Sequence, residues 1–243
     1  MSATVIRSVS IRTMNTAKPM TARKPCSAVR ALKLLRGGRA AEPVQRALIW
    51  AAALTILAGP PTPVAGAETD LSGEGITMIT DFTPDSPDLG WYVQNDNVMG
   101  GRSKGGFKLS EGELLFAGST NTNGGGFSSI RTQRFKLDLS ACDGIRLRAK
   151  GDGRRYIWQL QTNARNRGYP VSYWADFDTV AGEWTTIDIP FKTFVPNFRG
   201  FELDGPELDP REISELGLYI YDKKDGPFEL RLQSISAYAE GEQ

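Results

Sequence analysis

The side chains able to do acid–base or nucleophilic work are few. Asp176 and Asp178 form the most suggestive carboxylate pair, since two carboxylates flanking a glycosidic bond can cleave it. Spaced by two in an alternating stretch, they share the side opposite Phe177, and a solvated strand face already accounts for that. Asp152 and Asp225 stand in Asp-Gly turns, where turn chemistry suffices. There is no histidine in the chain, which removes the commonest general base and the commonest metal ligand. No His-Glu-x-x-His pair, Cys-x-x-Cys, Gly-x-Ser-x-Gly elbow or Walker loop is found. Gly100-Gly-Arg-Ser-Lys-Gly-Gly106 is glycine-rich and basic but lacks the Gly-Lys-Ser/Thr ending of a phosphate loop. No loop carries a dense set of calcium ligands. The expectation is a non-enzyme with no catalytic residue, no metal and no cofactor.

Binding chemistry is better represented. Trp91, Trp158, Tyr173, Trp174 and Trp184 are many large aromatics for one domain. Most belong in a core, yet Tyr173 and Trp174 are adjacent in a strand and must point to opposite faces. One of them therefore leaves the main core or lies under the aromatic stretch 191–201. An exposed aromatic beside amides and a guanidinium suits a sugar ring or a protein partner, and Gln159, Gln161, Asn163 and Arg165 lie close by in sequence. The candidate binding surface comprises Trp91, Asn95, Asp96, Asn97, Arg131, Trp158, Gln159, Tyr173 and Trp174.

The elements that must position these residues are short strands. Trp91-Tyr-Val-Gln-Asn-Asp-Asn-Val-Met-Gly-Gly-Arg-Ser103 reads as an aromatic anchor, a tight turn built on Asn95, Asp96 and Asn97, and a Gly-Gly hinge. Asn123-Gly-Gly-Gly-Phe-Ser-Ser-Ile-Arg131 is a second glycine-rich connection. Residues 76–81 form a first strand. Residues 107–117 form a hairpin turning at Glu111-Gly112. Ile145, Leu147 and Ala149 alternate with three cations, and Tyr156, Trp158 and Leu160 share a face, as do Val171, Tyr173, Ala175 and Phe177. Phe191 to Phe201 reads as irregular but packed. Asp209-Pro-Arg-Glu212 carries the signals of a capped helix of about two turns. The last strand changes parity between Leu232 and Ile235, which predicts a bulge near Ser234. Together these predict an all-β antiparallel sandwich with one short helix.

The N-terminal part is different in kind. Residues 1–50 hold ten Lys or Arg and one acid, Glu42. Taking ten from 29 leaves 19 bases, and one from 28 leaves 27 acids, so residues 51–243 carry a net charge of −8. A basic, Ser/Thr/Ala-rich start followed by an apolar run over 47–59 is the pattern of a targeting leader rather than a nucleic-acid arm. The run is too short to span a bilayer, which needs roughly 20 residues. The reading is a leader over 1–67 with cleavage near Ala67, a linker over 68–75, and one domain over 76–240 with no transmembrane span. Two destinations fit: export to a bacterial periplasm or beyond, or an organelle (mitochondrion or thylakoid lumen) reached by a two-part presequence. Cys142 is the lone cysteine of the mature part and reads as a packing residue.

The loop from Trp91 to Ser103 resembles the family named for complex I intermediate-associated protein 30. So do Asn123 to Arg131, Lys150-Gly-Asp-Gly153, Ile189-Pro-Phe191, Phe198-Arg-Gly200 and Asp222-Lys-Lys-Asp-Gly-Pro-Phe228. The resemblance covers residues 76–240, with the motifs in the family order. It implies a jelly-roll sandwich of the galactose-binding-like kind. It also implies relation to a mitochondrial factor that holds membrane-arm intermediates of respiratory complex I, with plant relatives in photosystem biogenesis. No established catalytic residues come with it. The expected function is a non-enzymatic, chaperone-like binding or assembly factor whose partners are membrane protein complex subunits or intermediates. The alternative is an exported carbohydrate-binding module with a glycan as ligand.

Overall fold

The computed structural model describes residues 75–110 and 112–240. The leader, its apolar run and nearly all of the linker lie outside the described residues, as does Glu111 of the predicted hairpin turn. Thirteen strands follow one another: β1 (Gly75–Thr80), β2 (Tyr92–Asn95), β3 (Lys104–Ser110), β4 (Glu113–Thr120), β5 (Ser128–Arg131), β6 (Gly144–Lys150), β7 (Arg155–Asn166), β8 (Tyr169–Asp178), β9 (Trp184–Pro190), β10 (Val195–Phe198), β11 (Phe201–Glu202), β12 (Glu215–Ile220) and β13 (Gly226–Ala239). They form two antiparallel sheets. One has six strands in the order β3-β4-β13-β6-β9, with β1 also paired to β13; the other has seven in the order β11-β10-β8-β7-β12-β5-β2. Among the described residues no helix is long and apolar enough to cross a membrane.

The core between the sheets is dictated by period-two patterning. Ile145, Leu147 and Ala149 of β6 point inward, as do Leu230, Leu232, Ile235 and Ala237 of β13. Opposite them stand Tyr156, Trp158 and Leu160 of β7, Val171, Tyr173, Ala175 and Phe177 of β8, and Leu216, Leu218 and Ile220 of β12. Cys142 is buried in the same core and is not a free thiol. The register of β13 against β6 shifts between Leu232 and Ser234, where the parity change predicted a bulge.

Two expectations need correction. The two-turn helix is a single 3-10 turn, Pro210–Glu212. Asp209 does cap it by accepting from Arg211 N at 3.1 Å, but Glu212 accepts from Asn163 Nδ2 at 2.9 Å and closes no capping box. The stretch 191–201 is not irregular. Its β10 pairs with β8, placing Val195 opposite Trp174 and Asn197 opposite Ser172, and then turns back into β11. Pro196 is tolerated because its neighbours lie near the sheet edge. Phe194 packs into the core, whereas Phe201 is 74% exposed.

One arginine ties the two sheets together at one end. Arg154 precedes β7, and its guanidinium donates to both carboxylate oxygens of Asp222, at 2.9 and 2.6 Å. It also donates to the carbonyls of Gly226 and Pro227 in β13, at 3.2 and 2.8 Å, and to Thr120 Oγ1 in β4 at 3.0 Å. The pair is largely shielded, with side-chain exposures of 12% and 4%. Burial pushes the Asp222 carboxyl up, but the hydrogen bonds and charge of Arg154 outweigh it and hold the group below the ordinary value. A carboxylate depressed in the folded state adds stability above its unfolded pKa of about 4, and that stability is lost as pH falls through the folded value. Arg154→Met leaves Asp222 buried without its guanidinium partner, with only the Lys224 N–H still donating to it. Urea unfolding at pH 7 is expected to show a loss of about 3 kcal/mol, shrinking near pH 3 (roughly,), where Asp222 of the variant is protonated.

Candidate binding face

Each strand of the seven-stranded sheet that sends apolar side chains into the core sends its other residues to the far side of that sheet. On β7 these are Ile157, Gln159 and Gln161, and on β12 they are Glu215, Gly217 and Tyr219. One straight cross-strand row runs over six strands: Val195, Trp174, Gln159, Gly217, Arg131 and Tyr92, each opposite the next. Gly217 occupies the middle of the row. A Cβ there would lie 3.1 Å from Gln159 Cβ, so a larger residue would push the amide aside.

The row is wired. Trp174 Nε1 donates to Gln159 Oε1 at 3.0 Å, and Gln159 Nε2 donates to Glu215 Oε1 at 3.2 Å. Arg131 Nη1 lies 3.8 Å from the same carboxylate oxygen. Arg131 Nη2 donates to the Tyr219 hydroxyl, and the guanidinium lies 5.2 Å from the Tyr219 ring centroid. Arg131 Nε is buried with no partner. Gln159 is 1% exposed, Glu215 5% and Tyr219 3%, although no third layer of described strands covers this face. Burial raises the Glu215 carboxyl, with Arg131 and Arg134 opposing. Burial likewise pushes the Tyr219 hydroxyl up to about 12, so it stays neutral at working pH while accepting from Arg131.

Trp174 is half-buried and held on three sides. Besides its bond to Gln159, its ring lies 5.1 Å from that of Tyr219 and 6.5 Å, edge-on, from that of Tyr221. Beside it is an open hollow of about 270 Å³, reached by Ile157, Asp176, Asn197, Glu202 and Tyr221. A larger hollow, of about 450 Å³, lies at the loop after β1, where Trp91 packs near Phe82 and Leu89.

The sequence-predicted surface therefore divides. Arg131, Gln159 and Trp174 converge on the outer face. Trp158 and Tyr173 do not: both are fully buried between the sheets, because alternation places them with Tyr156 and Phe177. Trp91 packs against the core away from the row. Asp96 is fully buried and acts as a loop clamp. Its carboxylate accepts from Ser103 N at 2.9 Å, Ser103 Oγ at 2.6 Å and Gly126 N at 2.7 Å. A Cβ on Gly101 or Gly125 would come within 2.2 or 2.5 Å of that carboxylate, which is why both glycine-rich connections carry glycine there. Asn95 helps by donating to Gly105 O at 3.0 Å and accepting from Ser128 Oγ at 2.6 Å. Asn97 is exposed. The clamped turn, Asp96–Met99, leaves Val98 63% and Met99 61% exposed.

Asp176 and Asp178 are both exposed on one side and bind Arg155, whose Nε donates to Asp178 Oδ1 at 2.8 Å. Glu215, Tyr219 and Tyr221 were missed as site residues. The signal was present in Leu218-Tyr-Ile-Tyr221, where two tyrosines alternate with two core residues.

The family model for complex I intermediate-associated protein 30 (CIA30) matches residues 80–232. An uncharacterized protein of Schizosaccharomyces pombe is 28% identical over 173 residues, which is 60% of this chain and 79% of that protein. Complex I intermediate-associated protein 30, mitochondrial, of Mus musculus is 27% identical over 173 residues, which is 62% of this chain and 52% of the mouse protein. The chain thus spans about half the length of the mouse relative. Among solved structures, a family 11 carbohydrate-binding module from Clostridium thermocellum, in complex with a β-1,3-1,4-mixed-linked tetrasaccharide, aligns with a TM-score of 0.50 at 18% identity, covering 70% of this chain and 98% of the module. At that identity the likeness concerns the fold, and it agrees with the predicted jelly-roll sandwich.

The raised Glu215 carboxyl has a measurable consequence. A carboxyl whose folded pKa lies above its unfolded value favours the folded state fully below that unfolded value, here about 4.5. The contribution is lost as pH rises through the folded value. Glu215→Gln removes this dependence. Urea titrations between about pH 4 and pH 7 are expected to give the variant a flatter stability profile than the parent over the lower part of that window. Parallel profiles would contradict the assignment.

Proposed function

The chain belongs to the complex I intermediate-associated protein 30 family, and on that premise we propose that it is a non-enzymatic binding factor for assembly intermediates of a membrane protein complex of the respiratory complex I kind. The observation that carries this reading is the Asp96-clamped turn. It holds two aliphatic side chains, Val98 and Met99, out in water on a fixed scaffold. Exposed apolar residues on a preorganised loop are what a partner surface needs for anchoring. Support for a non-catalytic role comes from the way the acids are engaged. Asp96, Asp152 and Asp222 bind backbone or guanidinium groups within the fold, and Glu215 stands in a side-chain network. The basic leader with its apolar run fits delivery to an organelle by a two-part presequence, the destination named for the mouse relative.

A carbohydrate-binding reading has the family 11 module in its favour, whose structure holds a tetrasaccharide. That likeness is one of fold, so a glycan site must be argued from this chain's own side chains.

The test is recovery of membrane-complex subunits with the tagged full chain from detergent extracts of its native cells. The parent is expected to retain membrane-arm subunits or their intermediates. The double variant Val98→Asp, Met99→Asp is expected to lose at least about tenfold of that recovery, a difference of roughly 1.4 kcal/mol or more, with an unchanged melting temperature. Failure of the parent to retain any membrane-complex subunit, or equal recovery by the double variant, overturns the reading.

A further inference from the structure

The hollow beside Trp174 joins a fixed aromatic ring to polar groups that have capacity to spare. Trp174 cannot swing away, because its indole N–H is held by Gln159 and its ring by Tyr219 and Tyr221. Asn197 is 7% exposed, and its side-chain oxygen accepts from Gly200 N at 2.8 Å. That bond fixes the amide and leaves its NH₂ group to donate. Asp176 Oδ2 lies 4.0 Å from Arg155 Nη1, while Arg155 gives its hydrogen bonds to Asp178. Asp176 Oδ1 therefore stays open as an acceptor, and the exposed Glu202 adds another carboxylate at the rim.

We propose that this hollow binds one pyranose ring of a neutral glycan, with the ring's C–H face on Trp174 and its hydroxyls on Asp176, Asn197 and Glu202. Three physical arguments select that ligand. A rigid aromatic face next to mixed donors and acceptors matches a sugar, which is apolar on its ring faces and polar around its edge. Asp176, Asp222 and Glu202 line the hollow against one cation, Arg155, whose hydrogen bonds go to Asp178, so the balance of charge disfavours phosphate, sulfate and uronate. The volume, about 270 Å³, falls below the roughly 300–1,000 Å³ of sites for drug-sized molecules, so a single ring fills it. Among the described residues, no group of three or more acids, cysteines or histidines converges as a metal site would require. The inference stands on the geometry of the hollow and is independent of the assembly reading, whose turn at Val98 and Met99 belongs to a different loop.

The test uses the full chain with neutral hexaoses of glucose, xylose, mannose and galactose, and oligogalacturonate as the acidic comparison, by affinity electrophoresis and titration calorimetry. At least one neutral hexaose is expected to bind. Trp174→Ala should weaken that binding about tenfold or more, and Trp174→Tyr should keep it within about threefold, since either aromatic presents a face. Asp176→Ala, a change at an exposed residue that leaves the core untouched, should weaken it about fivefold, the value of one hydrogen bond. The Val98→Asp, Met99→Asp variant should bind sugar like the parent, so loss of membrane-complex recovery and loss of sugar binding are separable results. Absence of binding by every neutral hexaose, binding unaffected by both Trp174→Ala and Asp176→Ala, or preference for oligogalacturonate each overturns the proposal.

Discussion

Strand alternation is the constraint on which this molecule depends. On β7 it commits Tyr156, Trp158 and Leu160 to the core and so commits Ile157, Gln159 and Gln161 to the opposite side. A one-residue slip would exchange the two sets and bury the amides between the sheets. Register is therefore strongly specified, and with it the line of Trp174, Gln159, Gly217 and Arg131 across the sheet. The cost of shielding an amide, a carboxylate and a guanidinium from water is offset only because they hydrogen-bond or pair with one another. Such a network fixes side-chain directions, and directed side chains are what a recognition surface requires.

Two further polar clusters maintain the frame around this face. Arg154 bridges from the start of β7 to Asp222 and to the backbone of β13, so the two sheets cannot slide at that end. Asp96 gathers the segments around Ser103 and Gly126 into one unit. They solve complementary problems. Long connections at the end of a sandwich leave backbone groups without strand partners: Arg154 donates to the carbonyls of Lys224, Gly226 and Pro227, and Asp96 accepts from the N–H groups of Ser103 and Gly126. The glycines facing Asp96 are the steric counterpart of that solution, since a methyl group would occupy the carboxylate's place.

Much of this was legible in the sequence because it follows from local rules. The sandwich, the inward face of β6, the sets of residues sharing a face on β7 and β8, the bulge before Ser234 and the separation of Tyr173 from Trp174 are all consequences of period-two patterning. What could not be read depended on distant partners. Trp158 looked like surface because nothing in its own segment reveals which face of the sheet is covered. Asp96 looked like a binding residue because its donors, Ser103 and Gly126, lie 7 and 30 residues away. The pairing of β10 was hidden behind Pro196 and a run of phenylalanines, and it became a strand only because β8 offers it an open edge. Glu215 and Tyr219 enter the network only once β12 is placed between β7 and β5.

The outer face of the seven-stranded sheet is preorganised, with Trp174 held by Gln159 although its ring is half in water. Hydrogen exchange of the Trp174 indole N–H, followed by NMR, reports on that bond directly. Exchange is expected to be slowed by at least about a hundredfold relative to free indole, corresponding to opening at a cost of roughly 3 kcal/mol, with near-free exchange in Gln159→Leu. Exchange in the parent protein at the rate of free indole would contradict that preorganisation.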